Sequence, residues 1–325
     1  MRWAACGLVA SLCAASCTSP ASPPAASAAA STAEVSIADL STADVSTADV
    51  STAVATTPAA RSVSIAPLVA SSVPPPFEGL REVGAGALFD ALAAELPALA
   101  AAPAVREDWR RLRLRHALPE DDALYADFVR VRLAFEASRA GGLWGLEWRI
   151  TDRQPRSDAV WTQWAAAGAA AADAPPAATV TTATATTAIA ECDELSALFA
   201  VVAHGLGLSR RSRVGLLWPT ANHTVAVWAF DAPGGREVRV VAPTSQIFLD
   251  SVQSLDTDAF DPWAQKTIHD YVRRDAAQTR LPAALARRFV AEVRRSAALS
   301  RGELQALRNR REYDQRRAAS AGREH

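Results

Sequence analysis

Apolar side chains recur at intervals of three and four residues in several stretches of the chain, which is the spacing of a helix with one buried face. The clearest stretch begins at Cys192, and its apolar positions are Leu195, Leu198, Phe199, Val202 and Leu206. Gly205 and Gly207 predict the end of this helix, because glycine tolerates the left-handed turn that closes one.

The same spacing predicts helices on both sides of this stretch. One helix is predicted over residues 80–99, ending before Pro103, and a second over residues 121–138, ending before Gly141-Gly142. Ser157 is a candidate N-cap for a third helix. From Pro262 onward the chain is again predicted to be helical, with an apolar stripe at Leu281, Leu285, Phe289 and Val293, and with a capping box at Ser300 and Glu303.

Strand patterns follow the Cys192 helix. Residues 213–218, 223–230 and 236–241 are rich in β-branched and aromatic residues and are bounded by Pro219, a Pro-Gly-Gly turn and Pro243. Residues 143–150 predict one earlier short strand. A helix followed by an antiparallel meander predicts the α+β class.

Composition divides the chain into six segments. A Ser/Thr/Ala/Pro-rich stretch carries a five-residue repeat from Ser31 to Val50; it favours a disordered tether over a short solenoid, because four small repeats bury too little surface for a core. The predicted segments are a signal (1–17), the linker (18–76), a helical Trp-rich module (77–164), an Ala/Thr-rich loop (165–187), a strand-bearing core (188–262) and a C-terminal helical arm (263–325).

The N-terminus has the features of an export signal. Arg2 gives a basic start, residues 4–15 are small and apolar, and Ala14-Ala15-Ser16-Cys17 resembles a bacterial lipoprotein cleavage site. We therefore expect Cys17 to be lipidated and the protein to be held at the membrane in the cell envelope, with ordinary secretion as the alternative.

Charge and cysteine usage exclude several classes of function. The formal net charge of -1 gives no general attraction to nucleic acid. Cys6, Cys13 and Cys17 all fall within the signal, so the exported part keeps a single thiol, Cys192, and cannot form an internal disulfide. No ligand spacing indicates a metal site, and no motif indicates a cofactor.

Two further patterns allow two interpretations each. Trp144, Trp148, Trp161 and Trp164 indicate either an aromatic binding platform or a core whose indole N–H groups find partners. The many arginines of the C-terminal arm indicate either attachment to an anionic surface or a solvated face.

A cysteine in the first turn of a helix lies near unpaired N–H groups and the positive end of the helix dipole. Both favour the thiolate, so we expect the pKa of Cys192 to be lowered and the thiol to act as a nucleophile. The alternative is a buried structural cysteine, because free cysteine is among the most buried residue types.

The chain from residue 188 to about 250 resembles the transglutaminase-like branch of the papain-like cysteine enzymes. The resembling residues are Cys192-Asp193-Glu194-Leu195, Ala203-His204-Gly205-Leu206-Gly207-Leu208, Asn222-His223-Thr224-Val225-Ala226-Val227-Trp228 and Val240-Val241-Ala242-Pro243-Thr244. The third motif of that family is Asp-Pro-Thr, whose Asp orients the histidine, and Ala242 stands here in its place.

The resemblance implies a papain-like core in which Cys192 attacks an acyl carbon and His223 moves the proton. A protease or acyltransferase acting on peptide or protein amides would use these two residues. With Ala242 present, Gln246, Asn222 and Ser245 are candidates for the group that orients His223. The alternative function is a catalytically inactive scaffold that binds a peptide or protein partner in the cell envelope.

Overall fold

A computed structural model describes residues 76–151, 153–172, 186–220, 222–245, 255–270 and 279–321. They lie within one compact unit, Val69–His325. The predicted signal, Cys17 and the linker up to residue 75 lie outside the described residues.

The N-terminal part is mainly helical and differs from the sequence prediction in one place. Its elements are β1 (Glu82–Gly84), α1 (Ala85–Ala93), α2 (Leu96–Ala101), α3 (Pro103–His116) and α4 (Asp122–Ser138). The single helix predicted over residues 80–99 is wrong: it is divided between α1 and α2 just before Pro97, which lacks an N–H and would clash with the preceding turn. The predicted start of α4 is confirmed, because the Asp121 carboxylate accepts a hydrogen bond from the Leu124 N–H at 3.0 Å.

A short parallel pair of strands follows. β2 (Leu146–Trp148) pairs with β3 (Ala188–Ala190), and α5 (Ala159–Ala172) lies between them in sequence. The predicted short strand is confirmed, and so is the helix predicted after Ser157, which begins at Ala159. α5 extends into the stretch predicted to be a loop, because a run of alanines has high helix propensity.

The helix and meander after residue 190 agree with the sequence prediction. α6 (Cys192–Gly205) is followed by β4 (Ser212–Thr220), β5 (His223–Asp231) and β6 (Glu237–Ala242). These strands are antiparallel, and with β7 (His269–Asp270) they form a sheet of order β6-β5-β4-β7. The described part of the chain is therefore α+β.

The two faces of this sheet bury different clusters. Ala226, Trp228 and Phe230 of β5 belong to the main core, which also contains the apolar face of α6. Val225 and Val227 alternate with them and belong to a smaller cluster around Phe260. The strand alternation thus gives β5 apolar contacts on both faces.

The C-terminal part departs from the helical prediction at its start. Residues 262–270 form turns and β7 instead of a helix. Next come β8 (Arg280–Pro282), which pairs with β1, α7 (Ala283–Ala297) and α8 (Arg301–Ala321). The predicted capping box is confirmed, since the Ser300 N–H donates to Glu303 at 2.8 Å and the Glu303 N–H donates to the Ser300 hydroxyl at 3.3 Å.

One apolar core runs from Val83 to Leu304 and includes both the Trp-rich helices and α6. Trp144, Trp161 and Trp164 are buried in it, while Trp148 is half-buried at its edge. This supports the core interpretation over a binding platform. The expectation of indole partners is wrong for these three, whose N–H groups make no hydrogen bond to a described residue; they instead pack edge to face, with Trp161 and Trp164 centroids 5.1 Å apart.

Several arginines of the C-terminal arm bind carboxylates of the protein itself. Arg294 donates to Glu95 at 2.6 Å, Arg308 pairs with Glu136, and Arg311 donates to Glu292 at 2.6 Å. Arg311 is only 4% exposed. These ion pairs hold the arm against the body, and because the side chains of Arg308 and Arg311 are largely buried, neither a solvated face nor an anionic-surface patch describes these two.

Candidate functional site

Cys192 is the first residue of α6, and the start of this helix is firmly held. The buried carboxylate of Glu194 accepts from the backbone N–H of Glu191 at 3.0 Å and of Arg156 at 3.2 Å, and it also pairs with Arg153. The thiol itself is half-buried, and Cys192 is the free cysteine of the described residues. The site is thus rigid in its backbone and partly open at the sulfur.

Three backbone N–H groups, those of Thr224, Asp193 and Cys192 itself, act to lower the pKa of the Cys192 thiol. Two of them belong to the first turn of α6, where N–H groups have no partner within the helix. The third belongs to β5. Such N–H groups favour negative charge on the sulfur.

The net effect on the thiol is nevertheless the reverse of the sequence expectation. Burial raises the pKa of Cys192, and the neighbouring Asp193 carboxylate raises it further, although the three N–H groups oppose both. The expected lowering of this pKa is therefore wrong, because the helix position is outweighed by loss of solvent. The resting thiol is protonated at neutral pH.

His223 is the first residue of β5, and it is 5% exposed. Its ring packs against the ring of Phe260, with centroids 5.3 Å apart and planes tilted by 45°. Burial lowers the pKa of His223, so the imidazole is neutral at pH 7. Neutral imidazole is the form that accepts a proton.

The structure brings α6 and the start of β5 together. The Thr224 N–H acts on the pKa of the Cys192 thiol, whereas the His223 ring packs against Phe260 on the face of β5 opposite α6. One turn along α6, the Ser196 hydroxyl donates to the Cys192 carbonyl at 2.7 Å. The same hydroxyl lies 2.9 Å from the hydroxyl of Thr244. Ser196 thus ties α6 to the segment that follows β6.

Ala242 lies in a different place from His223. Ala242 pairs with Ala226, which lies three residues, or about 10 Å, along β5 from His223. Ala242 is fully buried in the main core. Continuing the β5–β6 register past Ala242 places Ser245 across from His223. Ser245 is buried, and its hydroxyl makes no hydrogen bond to any residue that the structure describes.

The other predicted orienting residues do not lie in comparable positions. Asn222 is exposed in the turn between β4 and β5, and Gln246 lies outside the described residues. Of the candidates named from sequence, Ser245 is the one that is both described and buried. The sequence signal that could have ranked it first is its register with His223, which becomes known only once the strands are paired.

Sequence reasoning missed a second site altogether. A cavity of about 280 Å³ lies between α3, α4 and α8, and neither Cys192 nor His223 lines it. Five arginines line this cavity, which are Arg111, Arg115, Arg132, Arg301 and Arg308. These arginines are spaced four residues apart on α3 and seven residues apart on α8, and both spacings place side chains on one face of a helix. This spacing is the sequence pattern that could have indicated the cavity.

The described part of the chain contains neither a cluster of metal ligands nor a single membrane-spanning helix. No group of three or more His, Cys, Asp or Glu side chains that could hold a metal ion occurs in the described ranges. Among the same residues, no single helix is long and apolar enough to cross a bilayer, although the pair Ala85–Ala101 and Pro103–His116, bent by 74°, passes on length and composition alone.

The chain was also compared with known proteins. No family model, curated protein or solved structure matches it.

Proposed function

We propose that this protein performs cysteine-dependent acyl chemistry, hydrolysis or transfer, on peptide or protein amides, on a papain-like core of the transglutaminase type. The observation that carries the proposal is the position of Cys192 at the start of α6, where backbone N–H groups of α6 and of Thr224 favour negative charge on its sulfur. A nucleophile, a neutral base and a cluster of oxyanion donors are the three parts that acyl transfer requires.

In the proposed reaction, Cys192 begins as a thiol and His223 as a neutral imidazole. His223 takes the thiol proton as the Cys192 sulfur bonds to the amide carbon, and the N–H groups stabilise the oxyanion of the tetrahedral intermediate. The C–N bond then breaks, the amine leaves with the proton from His223, and an acyl-enzyme remains. Water or another amine attacks this thioester and releases Cys192, giving hydrolysis or transfer respectively.

The test is the rate of Cys192 alkylation by iodoacetamide in the folded protein, against pH. We expect the rate to fall about tenfold or more in His223→Gln, because a positioned base contributes on the order of 10²-fold or more to proton transfer. His204→Gln is the control, since His204 is exposed at the far end of α6. Equal rates in all three folded proteins would contradict the proposal.

A second candidate function is a catalytically inactive scaffold that binds a peptide or protein partner. It is favoured by Ala242, which is apolar, buried and distant from His223, and by burial effects that oppose a thiolate–imidazolium pair. This candidate predicts alkylation that is slow and indifferent to His223. The two functions are therefore separated by the same measurement.

The proposed setting is the bacterial cell envelope, with the protein held at the membrane by a lipid on Cys17. Support comes from the small, apolar stretch before Cys17. Cys17→Ala should move the protein from the membrane fraction to the soluble fraction; unchanged fractionation would contradict lipid anchoring.

A further inference from the structure

The cavity between α3, α4 and α8 has an apolar part and a charged part. Leu112, Phe128, Leu255 and Leu304 supply apolar surface, and three of them, Leu112, Phe128 and Leu304, are 4% exposed or less. The arginines and carboxylates lie around them. A pocket of this kind suits a molecule that is apolar at one end and charged at the other.

The charges of the cavity lining are unbalanced. Five arginines line it against three carboxylates, Asp108, Glu136 and Asp256. Adding the ion-pair partners that flank the lining gives seven arginines and five carboxylates, so the excess of positive charge remains. The cavity therefore favours an anion over a cation.

Two guanidinium groups are positioned by one carboxylate. Arg132 donates from Nε to the Asp108 carboxylate at 2.8 Å, and Nε of Arg301 lies 3.1 Å from the other oxygen of the same carboxylate. Arg132 is only 5% exposed, and its terminal nitrogens make no hydrogen bond to a described residue. They are also absent from the fully buried polar atoms that lack a partner in the described part of the chain. Arg132 lines the cavity, and the hydrogen bond to Asp108 uses the Nε–H of its guanidinium.

The opposite wall is held in place by Asp256. Its backbone has a φ of 72°, its N–H donates to the Val241 carbonyl at 2.8 Å, and its carbonyl accepts from Arg115 at 2.7 Å. His116 Nε2 lies 3.0 Å from its carboxylate. An aspartate tolerates the left-handed region better than most residues, so this wall is built in advance of any ligand.

We propose that this cavity binds a small amphipathic carboxylate. Its carboxylate would accept hydrogen bonds from the terminal nitrogens of Arg132 and Arg301, which match the two oxygens of a carboxylate. Its apolar chain would lie against Phe128 and Leu304. The volume of about 280 Å³ is close to the lower end of ligand pockets, which restricts the ligand to a short chain.

The experiment is calorimetric titration of the full chain with hexanoate, with hexanol and inorganic phosphate as comparison ligands. We expect saturable hexanoate binding that weakens about tenfold or more in Arg301→Gln, because a hydrogen bond to a charged group contributes about 1.5–3 kcal/mol. Arg310→Gln is the matched control, since Arg310 is exposed on the same helix outside the cavity lining. Hexanol should bind at least tenfold more weakly than hexanoate, by the same argument.

A second variant protects the test against a folding defect. Arg111→Gln changes the other side of the cavity, at a side chain that is 54% exposed, and it should also weaken hexanoate binding. Absence of saturable binding to the folded wild type would overturn the proposal. So would an equal loss in Arg310→Gln, or phosphate binding tighter than hexanoate binding.

Discussion

At the scale of single residues, Cys192 shows how a helix start can fail to produce a thiolate. Three N–H groups stabilise negative charge on the sulfur, but burial and the Asp193 carboxylate outweigh them and raise the pKa. Burial likewise raises the pKa of Asp193 itself. In the proposed reaction, the thiol would therefore lose its proton to His223 during the attack and not before it.

Asp193→Asn should make the thiol more acidic. Removing a negative charge beside the sulfur favours the thiolate, so the midpoint of the alkylation rate should move to lower pH. The measurement is the iodoacetamide rate from pH 6 to 10. Asp90→Asn is a suitable control, because Asp90 is exposed on α1, and an equal shift in that variant would indicate a general charge effect.

At the scale of elements, the end of α6 depends on a close approach between two helices. A Cβ at Gly205 would clash with the ring of Phe89 on α1, including an approach of 2.6 Å to Cε2. Phe89 in turn packs edge to face on Trp161, with centroids 6.2 Å apart. Gly205 is the last residue of α6 and lets α1 approach it, whereas the left-handed glycine that was expected at this helix end is Gly207, with a φ of 79°.

Gly205→Ala should destabilise the protein by about 1–3 kcal/mol, because an added methyl in a packed contact forces the ring or the backbone to move. Urea unfolding gives the free-energy difference. Gly86→Ala on α1 has nothing within 4 Å of the added Cβ, so it should leave stability unchanged or slightly higher. Comparable losses in the two variants would refute the close-approach explanation.

At the scale of the whole molecule, Glu136 joins the N-terminal helices to the C-terminal arm. It lies on α4, is 4% exposed, and pairs with Arg308 of α8 and with Arg139. Burial acts to raise its pKa, but the charges of Arg308, Arg139 and Arg132 lower it to about 2. The arm is thus clamped by a carboxylate that stays ionised in all but strong acid.

This shift has a defined effect on acid stability. The pKa of Glu136 in the folded protein is about 2, below its ordinary value of 4.5, so its stabilising contribution is fully present above pH 4.5 and is lost as pH falls toward 2. Glu136→Gln should cost about 3–5 kcal/mol at pH 7, because it leaves buried arginines without their partner. It should also flatten the loss of stability between pH 4.5 and 2.

Urea unfolding at pH 7 and at pH 3 measures both effects. Glu120→Gln is the control, because Glu120 is 86% exposed and pairs only with Arg113 among the described residues. That variant should keep the acid dependence of the wild type. A wild-type acid profile in Glu136→Gln would show that the clamp contributes little.

The sequence by itself determined the local elements around the site. The apolar spacing after Cys192 and the glycines at its end predicted α6, and the alternation from His223 predicted β5, because both patterns follow directly from helix and strand geometry. The capping box at Ser300 and Glu303 predicted the start of α8, because an N-cap is a local interaction. The α+β class followed from the order of these elements.

Only the tertiary structure decided how these elements meet. The register of β5 with β6 places Ala242 across from Ala226 and not across from His223, and burial reversed the expected direction of the Cys192 pKa. The arginine cavity joins residues as far apart in sequence as Asp108 and Arg308, which no local pattern relates. Burial, register and long-range ion pairs are properties of distant segments packed together, so they exist only once the chain has folded.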